Sequence, residues 1–191
     1  MIRPLEQILN DHKQAADLSF TAPQVAILES IARAIVQAFR AGNKLLICGI
    51  GGSAADSQHI AAEFIARFML ERKSLPAIAL TTDSSILTAL ANDYTYDYVF
   101  ARQVQGLGQK GDILIGISTS GNSKNVLAAV EQAKSQGLLT ISFTGRSGGK
   151  LKGMTDLCFA AQSDMTPHIQ EIHITSLHAI SEVVEAVLFG S

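Results

Sequence analysis

The sequence predicts an α/β fold in which helices cover both faces of a parallel, five-stranded sheet, so that the domain has three layers. Short, continuously apolar runs alternate with segments of helical periodicity, as expected for strands that are buried on both faces. Twice, at residues 44–48 and 112–117, such a run is followed by a loop of small residues and then by a helix. This order is typical of the strand–loop–helix units of a doubly wound sheet.

The predicted elements can be placed in order along the 191 residues. They are helices 6–18 and 23–40, strand 44–48, helix 54–69, strands 77–80 and 112–117, helix 124–136, strands 139–143 and 157–160, and helix 167–188. Pro23 suits the first turn of the second helix, Gly42 suits its end, and Thr166 is the expected N-cap of the last helix. The wide apolar stripe of the second helix predicts burial on the sheet or against a partner chain.

The composition limits the kinds of partner and the cellular locations to be expected for this protein. A net charge of −2, with 17% charged residues, gives no reason to expect nucleic acid or an anionic membrane as a partner. The first 13 residues contain no apolar core of signal-peptide length, and no apolar run approaches the roughly 20 residues of a membrane span. Cys48 and Cys158 lie in strand-like runs and are expected to be free, buried thiols. We therefore expect a cytoplasmic protein.

The loop Ser118–Ser123 has the features of a phosphate site. It lies where a strand ends and a helix begins, so the N–H groups and the dipole of the helix N-terminus attract an anion. Four of its six residues carry hydroxyl groups, which is more than helix capping requires. Gly121 permits a positive φ and a close approach of the backbone to a ligand. The loop is not a P-loop and contains no lysine, so it suits a phosphomonoester better than a nucleoside triphosphate.

A second loop, Gly49–Ser53, is rich in glycine and also joins a strand to a helix. It lacks the G-x-G-x-x-G spacing of dinucleotide-binding loops, and no acidic residue follows where one would bind a ribose, so NAD is not expected. The carboxyl ends of parallel strands meet at one edge of a sheet, and both loops are therefore expected to face the same ligand. Ser53 is a further candidate donor to that ligand.

Two helices carry side chains that can transfer protons or bind a metal. His59 and Glu63 are four residues apart and share a helix face, which suits a metal site or an acid–base pair. Taken in isolation, such a pair is more often an ordinary surface pair. The candidates on the last helix are Gln170, Glu171, His173 and His178. Periodicity leaves open whether Gln170 or Glu171 faces the site, and which histidine does.

Asn92 and Asp93 are expected in a polar loop that follows residues 81–85. In such a loop they can contact sugar hydroxyls, or they can form a simple Asn-Asp turn. The sequence alone does not separate these two roles.

Together these segments resemble the sugar isomerase (SIS) domain family, and within it the isomerases of sedoheptulose 7-phosphate. The likeness covers nearly the whole chain and is carried by four segments. They are residues 51–64 (G-G-S-A-A-D-S-Q-H-I-A-A-E-F), 75–94 (L-P-A-I-A-L-T-T-D-S-S-I-L-T-A-L-A-N-D-Y), 111–125 (G-D-I-L-I-G-I-S-T-S-G-N-S-K-N) and 169–174 (I-Q-E-I-H-I), which His178 follows. The segment I-S-T-S-G-N-S marks the wider family, and the His59/Glu63 and Gln170/His178 pairs narrow the likeness to the isomerases.

The resemblance implies a flavodoxin-like sheet in a single domain, 1–191. Within it, an N-terminal helical segment, 1–41, would serve oligomerisation, and residues 42–191 would form the α/β core. A homotetramer with helices at its centre and active sites shared between subunits is implied as well.

The resemblance also implies one Zn²⁺ per subunit and a set of substrate contacts. The implied zinc ligands are His59, Glu63, Gln170 and His178. The implied substrate contacts are Ile50, Gly51, Gly52, Ser53, Glu63, Asn92, Asp93, Ser118, Thr119, Ser120, Ser123 and Gln170. The choice on the last helix thus falls on Gln170 and His178. This leaves His173 either to packing or to a supporting contact behind the ligands.

The implied reaction converts sedoheptulose 7-phosphate to D-glycero-D-manno-heptose 7-phosphate through an enediol, the first step toward ADP-heptose and the lipopolysaccharide core. Glu63 is the candidate base, and His178 the candidate acid or proton shuttle. Zinc at the same residues would polarise the carbonyl. A carboxylate held by zinc is a weaker base, so the sequence leaves open whether Glu63 is the base or mainly a ligand.

Two positions depart from the family pattern. Ile50 stands where the family usually has asparagine, and His168 stands where it usually has arginine. Three alternatives are a non-catalytic SIS module that binds a replication initiator, a sugar-phosphate-sensing regulatory domain, and an isomerase of another phosphosugar. The presence of Glu63 and His178 favours the enzyme over the non-catalytic module. The regulatory domains carry a DNA-binding segment, for which this chain is expected to have no room. Ile50 keeps open an isomerase of another phosphosugar.

Overall fold

The structure is a computed structural model that describes residues 2–190. Its elements are α1 (Leu5–Ser19), α2 (Ala22–Arg40), β1 (Leu45–Gly49), α3 (Gly52–Ile65), β2 (Ala77–Ala79), α4 (Ser84–Asp93), a 3-10 turn (Tyr96–Tyr98), α5 (Ala101–Leu107), β3 (Ile113–Ser118), α6 (Lys124–Ser135), β4 (Leu139–Thr144), α7 (Leu151–Met154), β5 (Leu157–Ala160) and α8 (Thr166–Phe189). All the predicted strands and helices are present, whereas α4, α5 and α7 are additional.

The strands run parallel in the order β2-β1-β3-β4-β5, which confirms the predicted fold class. This is the strand order of flavodoxin-like sheets. The central strands β1 and β3 are neighbours, paired from Leu45 with Ile113 to Gly49 with Ile117. The loops that leave these two strands therefore begin side by side at the carboxyl edge of the sheet.

Each face of the sheet has its own hydrophobic cluster, because alternate strand residues point to opposite faces. On the first face, Leu45 and Ile47 of β1 belong to a cluster with α1, α2, α3 and α8. On the second face, Leu46 and Cys48 belong to a cluster with α5, α6 and α7. Burial of β1 on both sides explains why its sequence is a continuous apolar run.

The chain leaves β1 toward one face of the sheet and leaves β3 toward the other. Helix α3 follows β1 and packs on the first face, whereas α6 follows β3 and packs on the second. Neighbouring strands whose helices diverge in this way leave a crevice at their carboxyl ends, where open α/β sheets bind ligands. The two predicted loops flank this crevice.

Helix α3 differs from its prediction at both ends. The pattern predicts residues 54–69, whereas the structure has Gly52–Ile65. The helix begins earlier because Gly51 turns sharply, with φ 62° and ψ −124°, a conformation that glycine adopts without a steric penalty. It ends earlier because the Arg72 guanidinium binds carbonyl groups of its last turn, and the chain then leaves the helix.

Asn92 and Asp93 do not lie in a polar loop, so that prediction was wrong. They are the last two residues of α4. This helix begins where it does because the Asp83 carboxylate caps it, accepting a hydrogen bond from the backbone N–H of Ile86 at 2.9 Å. The prediction overlooked Asp83 as a start signal.

Helix α8 is the longest helix of the described chain, and it begins one residue before its prediction. Met165 occupies the N-cap without a side-chain hydrogen bond, and Thr166, the predicted cap, is already helical. By length and apolar composition alone, α8 could cross a membrane. In the fold it packs on the first face of the sheet, with Ile169 and Ile172 in the core. Burial in the core accounts for its apolar composition.

Candidate active site

The loop Ser118–Ser123, here called the phosphate loop, is held in shape by its own polar groups. The hydroxyls of Ser118 and Ser123 lie 2.8 Å apart, and the Ser120 hydroxyl accepts a hydrogen bond from the backbone N–H of Asn122 at 3.1 Å. The N–H of Gly121 donates to the Ser118 carbonyl at 2.9 Å and closes a tight turn. Ser118 is buried beneath the loop. The residues that reach the surface with hydroxyl groups are Thr119, Ser120 and Ser123.

The phosphate loop ends at the N-terminus of α6. Ser123 occupies the N-cap and makes no side-chain cap hydrogen bond. The N–H of Val126 donates to the Asn125 side chain, and those of Lys124 and Asn125 remain available to an anion. A second loop, after β4, packs against the phosphate loop. Gly121 has a φ of 65°, and a side chain there would overlap the backbone of Gly148 and Gly149. Glycine at position 121 is therefore required both by the turn and by the close approach of the two loops.

The glycine loop, Gly49–Ser53, lies beside α8. A Cβ atom on Gly52 would overlap the side-chain amide of Gln170, so a glycine is needed for α3 to begin this close to α8. Ile50 is 39% exposed in this loop. Ser53, in contrast, is buried against Gly49, so its hydroxyl does not reach the surface. The structure thus brings Gln170 to the glycine loop.

His59, Glu63 and His178 meet between α3 and α8. Nε2 of His59 lies 3.0 Å from Oε1 of Glu63 and 3.2 Å from Nε2 of His178. The side chains of His59 and Glu63 are 49% and 22% exposed, so small solutes can reach them. On its other side, the His178 imidazole stacks with the ring of Phe68, at 5.6 Å between centroids. Of the histidines considered on α8, His178 is the one that joins the predicted His59–Glu63 pair.

The three side chains form a group that can hold a metal ion. Their ligand atoms all lie within 4.8 Å of one another. Two donors of a tetrahedral zinc site, each about 2.0–2.1 Å from the metal, are separated by about 3.3 Å. The 3.2 Å between the His59 and His178 nitrogens matches that separation, so the donor set fits. Gln170 stands apart, about 12 Å along the α8 axis from His178.

Two other histidines of α8 have packing roles. His173 is fully buried, and its Nε2 donates a hydrogen bond to the carbonyl of Thr144 at 2.9 Å. Burial lowers the pKa of His173 to about 4, although the hydrogen bond to Thr144 acts to raise it. His168 is also buried, with its ring edge-on to that of His12 at 5.5 Å between centroids. The expected packing role of His173 is confirmed.

Asn92 and Asp93 are exposed at the end of α4, where the Asn92 amide donates to the Asp93 carboxylate at 2.9 Å. The 3-10 turn begins three residues after Asp93, and its Asp97 lies 3.7 Å from the ammonium group of Lys124. Lys124 is the first residue of α6, next to the phosphate loop. The chain that follows Asn92 and Asp93 therefore runs past that loop.

Sequence reasoning overlooked Asp56, which lies three residues before His59 on α3. One of its carboxylate oxygens, Oδ2, is buried and has no hydrogen-bond partner among the described residues. Burial raises the pKa of Asp56 to about 6, attraction to His59 lowers it, and repulsion from Glu171 raises it further. The spacing of Asp56 and His59 was a usable signal, because residues three apart share a helix face.

A family model described as "SIS domain" matches residues 14–145 of this chain. The matched stretch includes both loops and the His59–Glu63 pair, and it spans β1 to β4. The chain therefore contains a SIS domain.

Relatives and solved structures specify the family further. The phosphoheptose isomerase of Roseiflexus sp. (strain RS-1) is 57% identical over 166 residues, which cover 87% of this chain and 84% of that protein. That of Synechocystis sp. is 52% identical over 186 residues, 97% of this chain and 94% of that protein. A solved phosphoheptose isomerase from Neisseria gonorrhoeae has a TM-score of 0.89 at 40% identity, covering 94% of this chain and 97% of that one. The chain belongs to the phosphoheptose isomerase family.

Proposed function

We propose that this protein isomerises sedoheptulose 7-phosphate to D-glycero-D-manno-heptose 7-phosphate. The observation that carries the proposal is the His59–Glu63–His178 cluster, in the same domain as a hydroxyl-rich phosphate loop. A phosphate loop alone would be sufficient for a protein that only binds a sugar phosphate. An accessible carboxylate beside two imidazoles adds the proton-transfer groups that an aldose–ketose isomerase requires. Membership of the phosphoheptose isomerase family supports the choice of substrate.

In this proposal, the phosphate loop binds the phosphate and thereby orients the sugar. Hydroxyl groups and the first N–H groups of α6 donate to the phosphate oxygens. The proposed substrate contacts are Ile50, Gly51, Gly52, Ser53, Glu63, Asn92, Asp93, Ser118, Thr119, Ser120, Ser123 and Gln170. Of these, Ser53 and Ser118 are buried, so they act by shaping the two loops. Binding energy from the remote phosphate holds the reacting carbons against the catalytic groups.

Glu63 and His178 are the proposed proton-transfer groups. The Glu63 carboxylate removes a proton from C1 of the ketose, and an enediol forms. The His178 imidazole then moves a proton between the oxygens on C1 and C2. Return of the carbon-bound proton to C2 yields the aldose. His59, 3.0 Å from Glu63 and 3.2 Å from His178, holds the two groups together.

We also propose one Zn²⁺ per subunit at this cluster. His59, Glu63 and His178 would hold the ion, with Gln170 as the fourth ligand once its amide turns away from Gly52 or a neighbouring subunit supplies it. When bound, zinc would polarise the substrate carbonyl and stabilise negative charge on its oxygen. A carboxylate has two oxygens and an imidazole has two nitrogens, so Glu63 and His178 can each transfer a proton through the atom that does not contact the metal.

A cytoplasmic homotetramer with its helices at the centre is part of the same proposal. An open, mostly apolar groove of about 840 Å³ lies between α2 and α8. Its wall includes Val183 and Val187, which are 49% and 50% exposed in the single chain. Packing of neighbouring subunits there would remove this apolar surface from water. Light scattering should give about four times the 20.3 kDa of one chain, and a monomer would contradict the tetramer.

The direct test is incubation with sedoheptulose 7-phosphate before and after treatment with EDTA. We expect an aldose product, a loss of activity on chelation, and recovery with Zn²⁺. Activity that is insensitive to chelation would support the isomerase function and refute the proposed role of a metal. Turnover of a different phosphosugar alone would reassign the substrate. Sugar-phosphate binding without turnover of any substrate would identify a non-catalytic module.

A further inference from the structure

The segment that follows α3 is tied to α8 by a buried carboxylate. Glu185 on α8 accepts hydrogen bonds from the backbone N–H groups of Phe68, Met69 and Leu70 at 3.0, 2.6 and 2.8 Å. It also accepts one from Nε of Arg72 at 2.8 Å, and the two side chains of this ion pair are 2% and 1% exposed. Burial acts to raise the pKa of Glu185, but these four donors outweigh it and lower the pKa.

The same arginine binds the end of α3 that carries Glu63. Nη2 of Arg72 donates to the carbonyl of Glu63, and Nη1 donates to that of Phe64, both at 2.8 Å. These carbonyls belong to the last turn of α3, where they have no partner within the helix. A cation at this end is also favoured by the helix dipole. The backbone at Glu63 is thus connected to Glu185 through one guanidinium group.

Phe68 extends this connection to His178. Its ring stacks with the His178 imidazole, with 5.6 Å between centroids and 24° between planes. The His59 ring lies edge-on to the same imidazole at 4.8 Å between centroids. His178 therefore lies between two rings, and the backbone N–H of Phe68 is bound by Glu185, two helical turns beyond His178 on α8.

We propose that Phe68 is a positioning residue for His178, and that the buried Arg72–Glu185 pair holds it in place. Phe68 has no group that binds a metal or transfers a proton. It acts by restricting the His178 imidazole to the orientation in which Nε2 lies 3.2 Å from Nε2 of His59. Arg72 fixes the backbone of Glu63 at the same time, so one clamp sets both proton-transfer groups. This inference depends on the roles proposed above for His178 and Glu63.

The test compares Phe68→Leu with Phe68→Tyr and with a control, Met69→Leu. Leucine removes the stacked ring and remains apolar, whereas tyrosine restores the ring. Met69 is a matched control because its N–H also binds Glu185 while its side chain is 66% exposed. Substitution of a residue that orients a metal ligand typically lowers metal affinity or activity by about 10–100-fold. We expect Phe68→Leu to lower kcat and zinc affinity about 10-fold with little change in KM, because the phosphate loop is untouched.

Three measurements separate positioning from general stability. Steady-state kinetics gives kcat and KM, competition with a chromogenic chelator gives zinc affinity, and thermal unfolding gives Tm. In addition, NMR of the metal-free protein, isotopically labelled at histidine, detects the ring-current shift that the Phe68 ring produces in the His178 signals. This shift should disappear in Phe68→Leu and return in Phe68→Tyr. If Phe68→Leu does not fold, Phe68→Met provides a second variant without the ring.

The possible outcomes are distinct. Wild-type kcat, zinc affinity and His178 signals in the folded leucine or methionine variant would overturn the positioning role while leaving the isomerase in place. An equal loss of kcat and zinc affinity in Met69→Leu would also overturn the positioning role. The loss would then come from the whole segment and not from the Phe68 ring. A wild-type protein without isomerase activity would refute the proposed function, and the zinc and NMR measurements would still decide the role of Phe68.

Discussion

The two strand–loop–helix units at the crevice have the same backbone plan and different side chains. After β1, the loop is mostly glycine, and the following helix, α3, carries His59 and Glu63. After β3, the loop is mostly hydroxyl residues, and the following helix, α6, contains no histidine. A parallel sheet thus supplies a helix N-terminus twice, and the side chains differ. In the proposed function, the unit after β1 is the reactive unit and the unit after β3 is the binding unit.

The neighbours of the two units differ as well. Gly52 of the first unit lies against Gln170, so α8 shapes this loop. Gly121 of the second unit lies against Gly148, so the loop after β4 shapes that one. Under the proposed roles, variants of the proton-transfer group on α3 should change turnover, whereas variants of the loop residues in either unit should change affinity.

Glu63→Gln has the largest expected effect and tests the reactive unit directly. The amide keeps the shape of the side chain but cannot accept the proton, so kcat should fall at least about 100-fold with KM nearly unchanged. Steady-state kinetics with sedoheptulose 7-phosphate measures the change. Glu71→Gln is a matched control, since that carboxylate is 90% exposed. A kcat close to that of the wild type would remove Glu63 from the role of base.

His173 connects α8 to β4 behind the binding unit, and it should make the protein less stable in acid. Its pKa is lowered from 6.5 to about 4. The neutral ring therefore stabilises the folded state above pH 6.5, and this contribution is lost as the pH falls toward 4. Between pH 7.5 and 5, the free energy of unfolding should decrease by about 2 kcal/mol from this group.

Urea unfolding at the two pH values measures this effect. In His173→Gln, the side chain can still donate to the Thr144 carbonyl but does not titrate in this range. This variant should lose the corresponding part of the pH dependence. The same pH dependence in both proteins would show that other groups are responsible.

Ser120→Ala tests the binding unit with a smaller change. The variant loses one exposed hydroxyl donor to the phosphate, and a hydrogen bond to a charged group of this kind corresponds to a rise in KM of about 10-fold. The kcat should change much less, which contrasts with Glu63→Gln. Ser135→Ala, at the other end of α6, is the control because in the described chain its hydroxyl hydrogen-bonds only to Gln132, donating to the carbonyl and accepting from the side-chain amide. A fall in kcat without a change in KM would break the division between the units.

Ile50→Asn should have the smallest effect and sharpens the comparison within the reactive unit. Ile50 is partly exposed in the glycine loop, so an amide there can reach a sugar hydroxyl. One neutral hydrogen bond predicts a decrease in KM of about 3-fold. Competition between sedoheptulose 7-phosphate and shorter phosphosugars measures it. An unchanged KM for every substrate would mean that position 50 does not contact the sugar.

Local pattern was sufficient for much of the molecule. The strands, the long helices and both loops follow from hydrophobic periodicity and loop chemistry, which depend on residues near in sequence. The side-by-side placement of His59 and Glu63 follows from their spacing on one helix. Helix α4, which ends with Asn92 and Asp93, was missed because its apolar stripe is short. Leu87, Leu90 and Ala91 recur at helical spacing but are only partly buried, and the start signal of Asp83 was overlooked.

By itself, then, the sequence determined the doubly wound sheet, its two loops and the pair on α3. Only the tertiary structure decided which face of α8 meets that pair, because α8 is apolar around much of its circumference and its own pattern selects no face. It placed His178 at the site and His173 in the core. It also joined Arg72 to Glu185 across 113 residues, a contact that exists only because packing brings two distant segments together.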